Sequence, residues 1–459
     1  MPVTRSVRRG LSRALLVVAA CLMSASAAQA ASLYEALATA YSSNPTLLAA
    51  RAQLRATDEG VPQVLSEWRP TVLGTAQGGH EWDNQNKPAP PLNLETNPRS
   101  YGVTVRQPIF DGFGTVAGTS QAENLVQSGR AQLTDTEQTV LLAAVTAYMN
   151  VVRDAAVLDL NRNNEKVLQA QLEATQARFD VGELTRTDVA QAEASLQGAI
   201  AARIQAEGQL TTSQAIYRQV IGEDPLDVKM PEETPDLPSS REESVVLSQG
   251  VPAVRAAQFQ ERAAKDDIDV QFSDMLPTVS IEGSYQRQQD VGQRDSETDV
   301  GSVIGQVTIP LYQAGAPDSR VRQSKQVYMQ SKRQTDQALR AAEREAVNSW
   351  TALQTASAQA RSFEEQVHAN EIALDGVRQE QEVGARTILD VLDAQQALLT
   401  SQVSLVSSQT DRVVAEYRLV AAGGALTAQN LGLNVEYYDP KQHYDAVRNK
   451  FIGTGPSVE

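Results

Sequence analysis

The hydrophobic and polar residues of this chain follow two periodicities, one helical and one strand-like. From about Thr115 to Asp180, and again from just past Pro317 to Val383, apolar residues recur every three or four positions without an internal proline. At 1.5 Å per residue, the first stretch predicts a helix of about 100 Å. Shorter helical stretches follow at 187–221 and 387–422, so each long helix is expected to turn back along itself.

Four other stretches alternate with a period of two, which predicts β-strands. They cover about residues 71–82, 99–109, 278–286 and 300–311. Residues 83–98, rich in Asn and Pro, are predicted to form a loop between the first two strands. A helix at 32–42 and a second one from Pro45 to about Glu67 precede this strand pair, and Pro62 is expected to kink the second.

The order of elements in the first half of the chain recurs in the second half. Pro45 and Pro252 are 207 residues apart, whereas Pro108 and Pro310 are 202 apart. The two offsets place a five-residue length difference in the loop between the strands, where surface loops tolerate it. We therefore predict a signal segment at 1–30, repeat 1 at 31–221, a proline-rich linker at 222–242, repeat 2 at 243–425 and a partly disordered tail at 426–459.

The first 30 residues have the features of an export signal. Four arginines precede a short apolar core, and Ala28-Gln-Ala30 ends it with a small-x-small cleavage pattern. Cys21, the one cysteine, is either a small apolar residue lost with the signal or the lipid-bearing residue of a lipoprotein signal. The good cleavage site at Ala28–Ala30 favours the first interpretation. A mature chain starting near Ala31 then has no disulfide and must rely on packing or assembly.

Composition narrows the class of protein further. Aromatic residues make up only 5% of the chain, a bias typical of long helices packed through narrow seams. A formal net charge of −16 without basic clusters excludes a nucleic-acid-binding face. The chain has none of the common enzyme motifs (HExxH, GxGxxG, GxSxG), and His80, His368 and His443 fall in three different predicted elements, so neither a catalytic site nor a metal site is expected.

Crossing a membrane would depend on the strands. No stretch after the signal is apolar over about 20 residues, the length of a membrane helix. An open four-stranded sheet cannot sit in lipid, because its edges leave backbone groups unpaired. Three chains would supply twelve strands, an even number within the range of known barrels. The sequence therefore predicts that several chains share one β-barrel, and a homotrimer is one arrangement that closes it.

Several local motifs resemble the TolC family of outer-membrane channels, over nearly all of residues 31–425. They are Ser32–Leu37 with Asn44-Pro45, Gln107–Gly112, Ile309–Gly315, Arg178–Gly182 and Val383–Ala394. The resemblance implies a membrane α/β fold, with a trimeric 12-stranded β-barrel (four strands per chain) in outer-membrane lipid, continuous with a long antiparallel α-helical barrel in the periplasm. It also implies a passive exit duct without a cofactor, joined by a periplasmic adaptor (membrane fusion protein) to an inner-membrane ABC or proton-driven transporter.

The two helical turns hold the candidate functional residues. Thr185-x-x-Asp188 and Thr387-x-x-Asp390 both fit a helix N-cap with an acidic residue at the third position. The second turn alone carries Arg386 and a second acid, Asp393, where the first has Leu184 and Gln191.

These differences suggest a gate. Asp390 and Asp393 are three residues apart and share a helix face, so a trimer would bring six carboxylates together around its axis. Such a ring attracts cations, and its members raise one another's pKa. Arg386 could pair with Asp188 across the neighbouring helix and hold the end shut; the alternative is a solvated surface pair.

The resemblance implies the same roles. It places Asp390 and Asp393 at the periplasmic constriction, and Asp188, Thr187 and Arg386 in the links that close it. A tyrosine of the family's link set is replaced here by Gln381. The adaptor would contact Val181-Gly182 and Val383-Gly384.

Two other functions compete with an export duct. A periplasmic coiled-coil scaffold explains the helices but not the strands. A self-standing diffusion porin predicts many more strands per chain and no helices near 100 Å. If the protein is an export duct, the sequence does not distinguish type I protein secretion from small-molecule efflux.

Overall fold

The computed structural model of the protein describes residues 32–85, 92–231 and 233–455. The predicted export signal, including Cys21, lies outside these residues. In the described part the helices are α1 Leu33–Ser43, α2 Pro45–Asp58, α3 Gly60–Ser66, α4 Gly114–Asp180, α5 Arg186–Ile221, α6 Arg241–Ser248, α7 Pro252–Ser273, α8 Ala316–Glu382, α9 Ile388–Ala422 and α10 Gln442–Val447. The strands are β1 Thr71–Gly78, β2 Glu81–Gln85, β3 Leu92–Thr96, β4 Arg99–Phe110, β5 Thr278–Gln289 and β6 Glu297–Thr308.

The two long helices predicted from the sequence are confirmed. Helices α4 and α8 each have 67 residues, about 100 Å at the helical rise. Helix α4 packs against α5 and α7, and α8 packs against α9 and α7. Helix α9 also contacts α4, which joins the two helical hairpins side by side.

The predicted kink at Pro62 lies instead one turn earlier, as a break between α2 and α3. Glu59 separates the two helices, and Pro62 lies in the first turn of α3. Proline has no N–H to donate to the carbonyl group four residues before it, here that of Asp58. The helical hydrogen bonding therefore stops at Asp58 and starts again after it.

The main sheet has four antiparallel strands in the order β1-β4-β5-β6. A second sheet, the hairpin β2–β3, occupies part of residues 83–98. The prediction of an irregular loop there was therefore wrong for the described part of that stretch. Its alternation is brief and interrupted by Asn and Pro, so it carries little strand signal in the sequence.

The two faces of the main sheet differ in chemistry. Residues paired directly across an antiparallel ladder point to the same side, and one row runs Val72, Val105, Gly283 and Val303. That face also carries Val103, Ile281, Tyr285 and Val307. The opposite face carries Thr75, Thr104, Arg106, Glu282, Ser284, Ser302 and Gln306, with Leu73, Val300 and Ile304 on the two edge strands.

Neither face is covered by the other residues that the structure describes. Val303 on the apolar face is 81% exposed, and every residue of β1 is exposed. Strands β1 and β6 each pair on one side only within the described sheet, which leaves two open edges. A large exposed apolar face with open edges indicates a surface that is covered by a membrane or by another chain.

The main hydrophobic core lies at the middle of the long helices. There α1, α4, α5 and α9 meet around Leu37, Tyr148, Tyr217 and Tyr417. The buried hydroxyl of Tyr148 donates to the Lys229 carbonyl oxygen at 2.9 Å. The linker after α5 is therefore tied to the core.

Residues 426–455 pack onto the helices, whereas residues 426–459 were expected to form a partly disordered tail, of which 456–459 lie outside the described residues. Leu426, Leu433 and Val447 are buried, and Arg448 forms an ion pair with Glu123 of α4 at 2.9 Å. Apolar residues are sparse in this segment because it packs onto helices that are already formed. It therefore shows no periodicity of its own in the sequence.

One described helix, Gly114–Asp180, is long and apolar enough to cross a membrane by length and composition. Its most apolar window has a mean hydropathy of 1.4, and 56% of that window is buried inside the fold. The core helix of a packed protein meets the same test. Helix α4 supplies the largest share of the central core, which accounts for the apolar window.

Replacing Tyr148 by Phe should lower the thermal midpoint of the purified protein in detergent. The substitution leaves the Lys229 carbonyl group without its donor in this partly buried contact, at a cost of about 1 kcal/mol. Circular dichroism at the helical minimum measures the midpoint. The control is Tyr312→Phe, which removes the same hydroxyl from an exposed ring. Equal midpoints for the two variants would contradict a stabilising role for the Tyr148 bond.

Candidate gate at the two helical turns

The first hairpin reverses direction through a glycine in the left-handed region. Gly182 has φ +83°, and the Glu183 N–H donates to the Arg178 carbonyl oxygen at 2.9 Å. This bond satisfies one of the carbonyl groups that are left without a partner at the C-terminal end of α4. Any other residue at position 182 would be strained by the positive φ angle. The turn is thus built by the backbone, with Glu183 also within 3.5 Å of the Arg178 guanidinium.

The second hairpin repeats this geometry closely. Gly384 has φ +77°, and the Ala385 N–H donates to the Glu380 carbonyl oxygen at 2.8 Å. The Gly384 N–H donates to the carbonyl oxygen of Gln381 at 3.0 Å. Gln381 therefore has a backbone role in closing α8, whatever its side chain does.

Both return helices begin with a capping box, as the sequence predicted. In the first, the Asp188 carboxylate accepts from the Thr185 backbone N–H at 2.9 Å and the Thr185 hydroxyl at 2.7 Å. In the second, Asp390 accepts from the Thr387 N–H at 2.8 Å and its hydroxyl at 2.7 Å. The bonds from the threonine side chain and then the backbone lower the pKa of Asp188 and of Asp390. Both carboxylates therefore stay ionised at neutral pH.

Arg386 adds an ionic link that the first turn lacks. Its Nε donates to Glu380 Oε2 at 2.8 Å, and its Nη1 lies 3.9 Å from Asp390 Oδ1. The Glu380 hydrogen bond raises the pKa of Arg386 further. The guanidinium therefore bridges the last turn of α8 and the first turn of α9.

The structure does not bring Arg386 to Asp188 within one chain. Among the described residues, the partners of Arg386 are Glu380 and Asp390, and Asp188 bonds to Thr185. Thr187 is exposed and next to that cap. Sequence reasoning missed Glu380, although an acid six residues before Arg386 and one turn before the helix end was visible as a signal.

Asp393 lies at a groove between the two hairpins. The groove measures about 730 Å³ and is lined by residues of α4, α5 and α9, among them Asn164, Ala199 and Leu392. Asp393 is exposed there, whereas the Asp390 carboxylate turns back onto its cap. The two carboxylates, one turn apart, thus have different surroundings: one is fixed and the other is free to meet solutes.

The two turns expose apolar side chains at their tips. Val181 is 72% exposed and Val383 is 80% exposed. A Cβ built at Gly182 or Gly384 meets no atom within 4 Å, so nothing in the described part of the chain covers either glycine. One exposed valine beside an uncovered glycine thus gives each hairpin a small apolar surface, and the two surfaces match.

The described residues contain no group of three or more His, Cys, Asp or Glu side chains that could hold a metal ion. Of the three histidines, His80 lies beside β2, His368 lies in α8 and His443 lies in α10.

A family model described as "Outer membrane efflux protein" matches residues 36–223 and 246–425. The chain belongs to this family. The two matched segments each contain one long helix and its return helix, so both turns described above lie within the matched residues. The protein is accordingly an outer-membrane channel protein with a periplasmic helical part.

Curated relatives match over nearly the whole chain. The outer membrane efflux protein BepC of Brucella suis is 35% identical, over 95% of this chain and 96% of BepC. The outer membrane protein TolC of Vibrio cholerae is 28% identical, over 92% and 98%. The proteases secretion protein PrtF of Dickeya chrysanthemi is 23% identical, over 91% and 94%.

The fold matches that of solved outer-membrane channels. The crystal structure of the Campylobacter jejuni CmeC outer membrane channel superposes with a TM-score of 0.78, covering 91% of this chain and 89% of that one. At 14% sequence identity this likeness concerns the fold alone. It agrees with the resemblance to the TolC family drawn from the sequence motifs.

Replacing Arg386 by Ser should raise the resting conductance of the purified protein in planar bilayers. The substitution leaves Glu380 and Asp390 without the cation that bridges them, so the second turn loosens. Arg178→Ser is the matched control, because it breaks the ionic contact of the first turn. A resting current like that of the wild type in Arg386→Ser would show that this link does not hold the channel closed.

Proposed function

We propose that this protein is the gated exit duct of a tripartite export system. The observation that carries the proposal is a four-stranded sheet with one apolar and one mostly polar face, joined directly to two helical hairpins about 100 Å long. A sheet of this kind suits lipid on one side and water on the other. The helices extend the same path away from the membrane.

The open edges of the sheet support a homotrimer. In lipid, the unpaired N–H and C=O groups of β1 and β6 cost several kcal/mol each unless another strand pairs with them. Pairing β6 of one chain with β1 of the next would close a barrel, and three chains give about twelve strands. The polar face, with Arg106 opposite Glu282, then lines a water-filled lumen.

The helical hairpins of three chains would form the antiparallel helical barrel of the duct. Its closed end is proposed at the two turns. Asp390 and Asp393 of three chains form a ring of six carboxylates that attracts cations. Arg386 and Gln381 of the second hairpin, together with Asp188 and Thr187 of an adjacent first hairpin, form the links that keep the end shut.

The exposed tips support contact with a periplasmic adaptor. Val181-Gly182 and Val383-Gly384 offer matched apolar surfaces to the ends of its helices. Through the adaptor the duct would connect to an inner-membrane ABC or proton-driven transporter, which supplies the energy. The names of the relatives BepC and PrtF point to efflux and to protease secretion respectively, and we propose an export role of this kind for the present chain.

A periplasmic coiled-coil scaffold fits the structure less well. Such a protein has no need of an apolar sheet face as exposed as that around Val303. The sheet, and not the helices, is therefore the feature that distinguishes an export duct from a scaffold. A heat-stable β signal from protein in detergent supports the duct, and its absence supports the scaffold.

The double substitution Asp390→Asn with Asp393→Asn should lower cation selectivity and multivalent-cation block in planar-bilayer recordings. Asparagine at position 390 keeps an oxygen for the Thr387 cap but removes the charge, so the helix start is retained. Reversal potentials in a salt gradient measure selectivity. Added trivalent cation measures block.

The matched control for this pair is Asp180→Asn with Glu183→Gln. It also neutralises two carboxylates at the same end of the molecule, but these belong to the first turn and not to the second. Selectivity and block should stay near wild-type values in this control. An equal loss in both double variants would indicate a diffuse surface charge in place of a ring at the second turn.

A further inference from the structure

The C-terminal segment reaches the base of the main sheet. The Arg69 guanidinium donates to the Lys450 carbonyl oxygen at 2.7 Å and lies 4.4 Å from the centre of the Phe451 ring. Arg69 is two residues before Thr71, the first residue of β1. The segment 450–452 is therefore held at the level where the chain enters the sheet.

Two large apolar side chains of this segment are left uncovered. Phe451 is 67% exposed and Ile452 is 89% exposed. Both follow Lys450, and the Phe451 ring lies against Arg69, so cationic and apolar groups occur side by side. That combination is typical of segments that lie in the interface of a bilayer, with acyl chains taking the apolar groups and phosphates the cations.

The same level of the molecule carries other interfacial side chains. Trp68, Phe113 and Tyr312 are all exposed near the ends of β1, β4 and β6 that join the helices. The Trp68 carbonyl oxygen accepts from Gln107 Nε2 at 2.9 Å, which fixes its backbone against β4. Aromatic residues gather at the two water interfaces of a membrane barrel.

The residues just before the segment 450–452 fix its position against the helices. Arg448 donates to Glu123 of α4, and Tyr444 packs with Val61 and Val126. Helix α10 thus fixes the segment along α3 and α4, pointing it towards the sheet. Phe451 and Ile452 therefore lie exposed near Arg69, at the end of the sheet that joins the helices.

We infer that Lys450–Ile452 is a second membrane contact of this protein, which inserts Phe451 and Ile452 into the periplasmic-side leaflet of the outer membrane. The occupant of this surface is lipid, because Arg69 holds the segment beside the start of β1, and the apolar face of that sheet meets lipid in the proposed function, on which this inference rests. The contact would hold the C-terminal segment and α10 against the membrane. It would also hold the sheet-proximal ends of α3 and α4 close to the membrane.

Site-directed fluorescence in lipid nanodiscs tests this contact. Ile452→Cys is labelled with an environment-sensitive dye, and nanodiscs are prepared with ordinary or acyl-brominated phospholipids. Val303→Cys reports on the apolar sheet face, and Asp445→Cys on the exposed side of α10. The unsubstituted chain, labelled in parallel, measures any signal from Cys21.

The label at 452 should be quenched by brominated lipid as strongly as that at 303, and about twofold or more beyond that at 445. It should also be shielded from iodide in the water. Quenching at 303 with none at 452 overturns this inference and leaves the proposed barrel intact. Lack of quenching at 303 overturns the barrel itself. Shielding of 452 in whole outer membranes but not in nanodiscs would assign the surface to a protein partner and contradict lipid insertion.

Discussion

Backbone hydrogen bonding at the edges of the main sheet is the constraint on which the rest of this structure depends. A chain that contributes only four strands cannot satisfy β1 and β6 by itself in lipid. Its apolar face, on the row through Val72, Val105 and Val303, is not covered by the other described residues either. The proposed arrangement would meet both needs, because strands of neighbouring chains would pair edge to edge and the apolar face would turn outward.

The helices follow from the same requirement. If the barrel is shared among chains, the helices that leave it must also lie side by side around one axis. Two hairpins per chain, α4–α5 and α8–α9, provide this through long and narrow seams. Both hairpins reverse through a glycine turn followed by a capping box, so this shared geometry has a structural role: it forms the turn. The departures from it, Arg386 with Glu380 and the free carboxylate of Asp393, carry the chemistry particular to one turn.

Much of this could be predicted from the sequence, for physical reasons. Helices of 67 residues repeat their periodicity many times, and a glycine in the left-handed region followed by Thr-x-x-Asp marks each turn. The hairpin β2–β3 and the packed segment 426–455 were missed, because short or sparse apolar patterns gain their structure from neighbours that are distant in sequence. Glu380 was overlooked because the partner of Arg386 was sought on another helix.

Disulfide cross-linking between chains tests the central claim, the shared barrel, most directly. Thr75→Cys on the polar face of β1 is combined in turn with a cysteine at each even-numbered position of β6 from Thr298 to Thr308, which face the same side. Within one chain, β1 and β6 are three strand spacings apart, about 14 Å, too far for a disulfide. If neighbouring chains share one barrel, at least one combination gives a covalent trimer on non-reducing gels, while single variants stay monomeric. Monomers alone from every combination would contradict it.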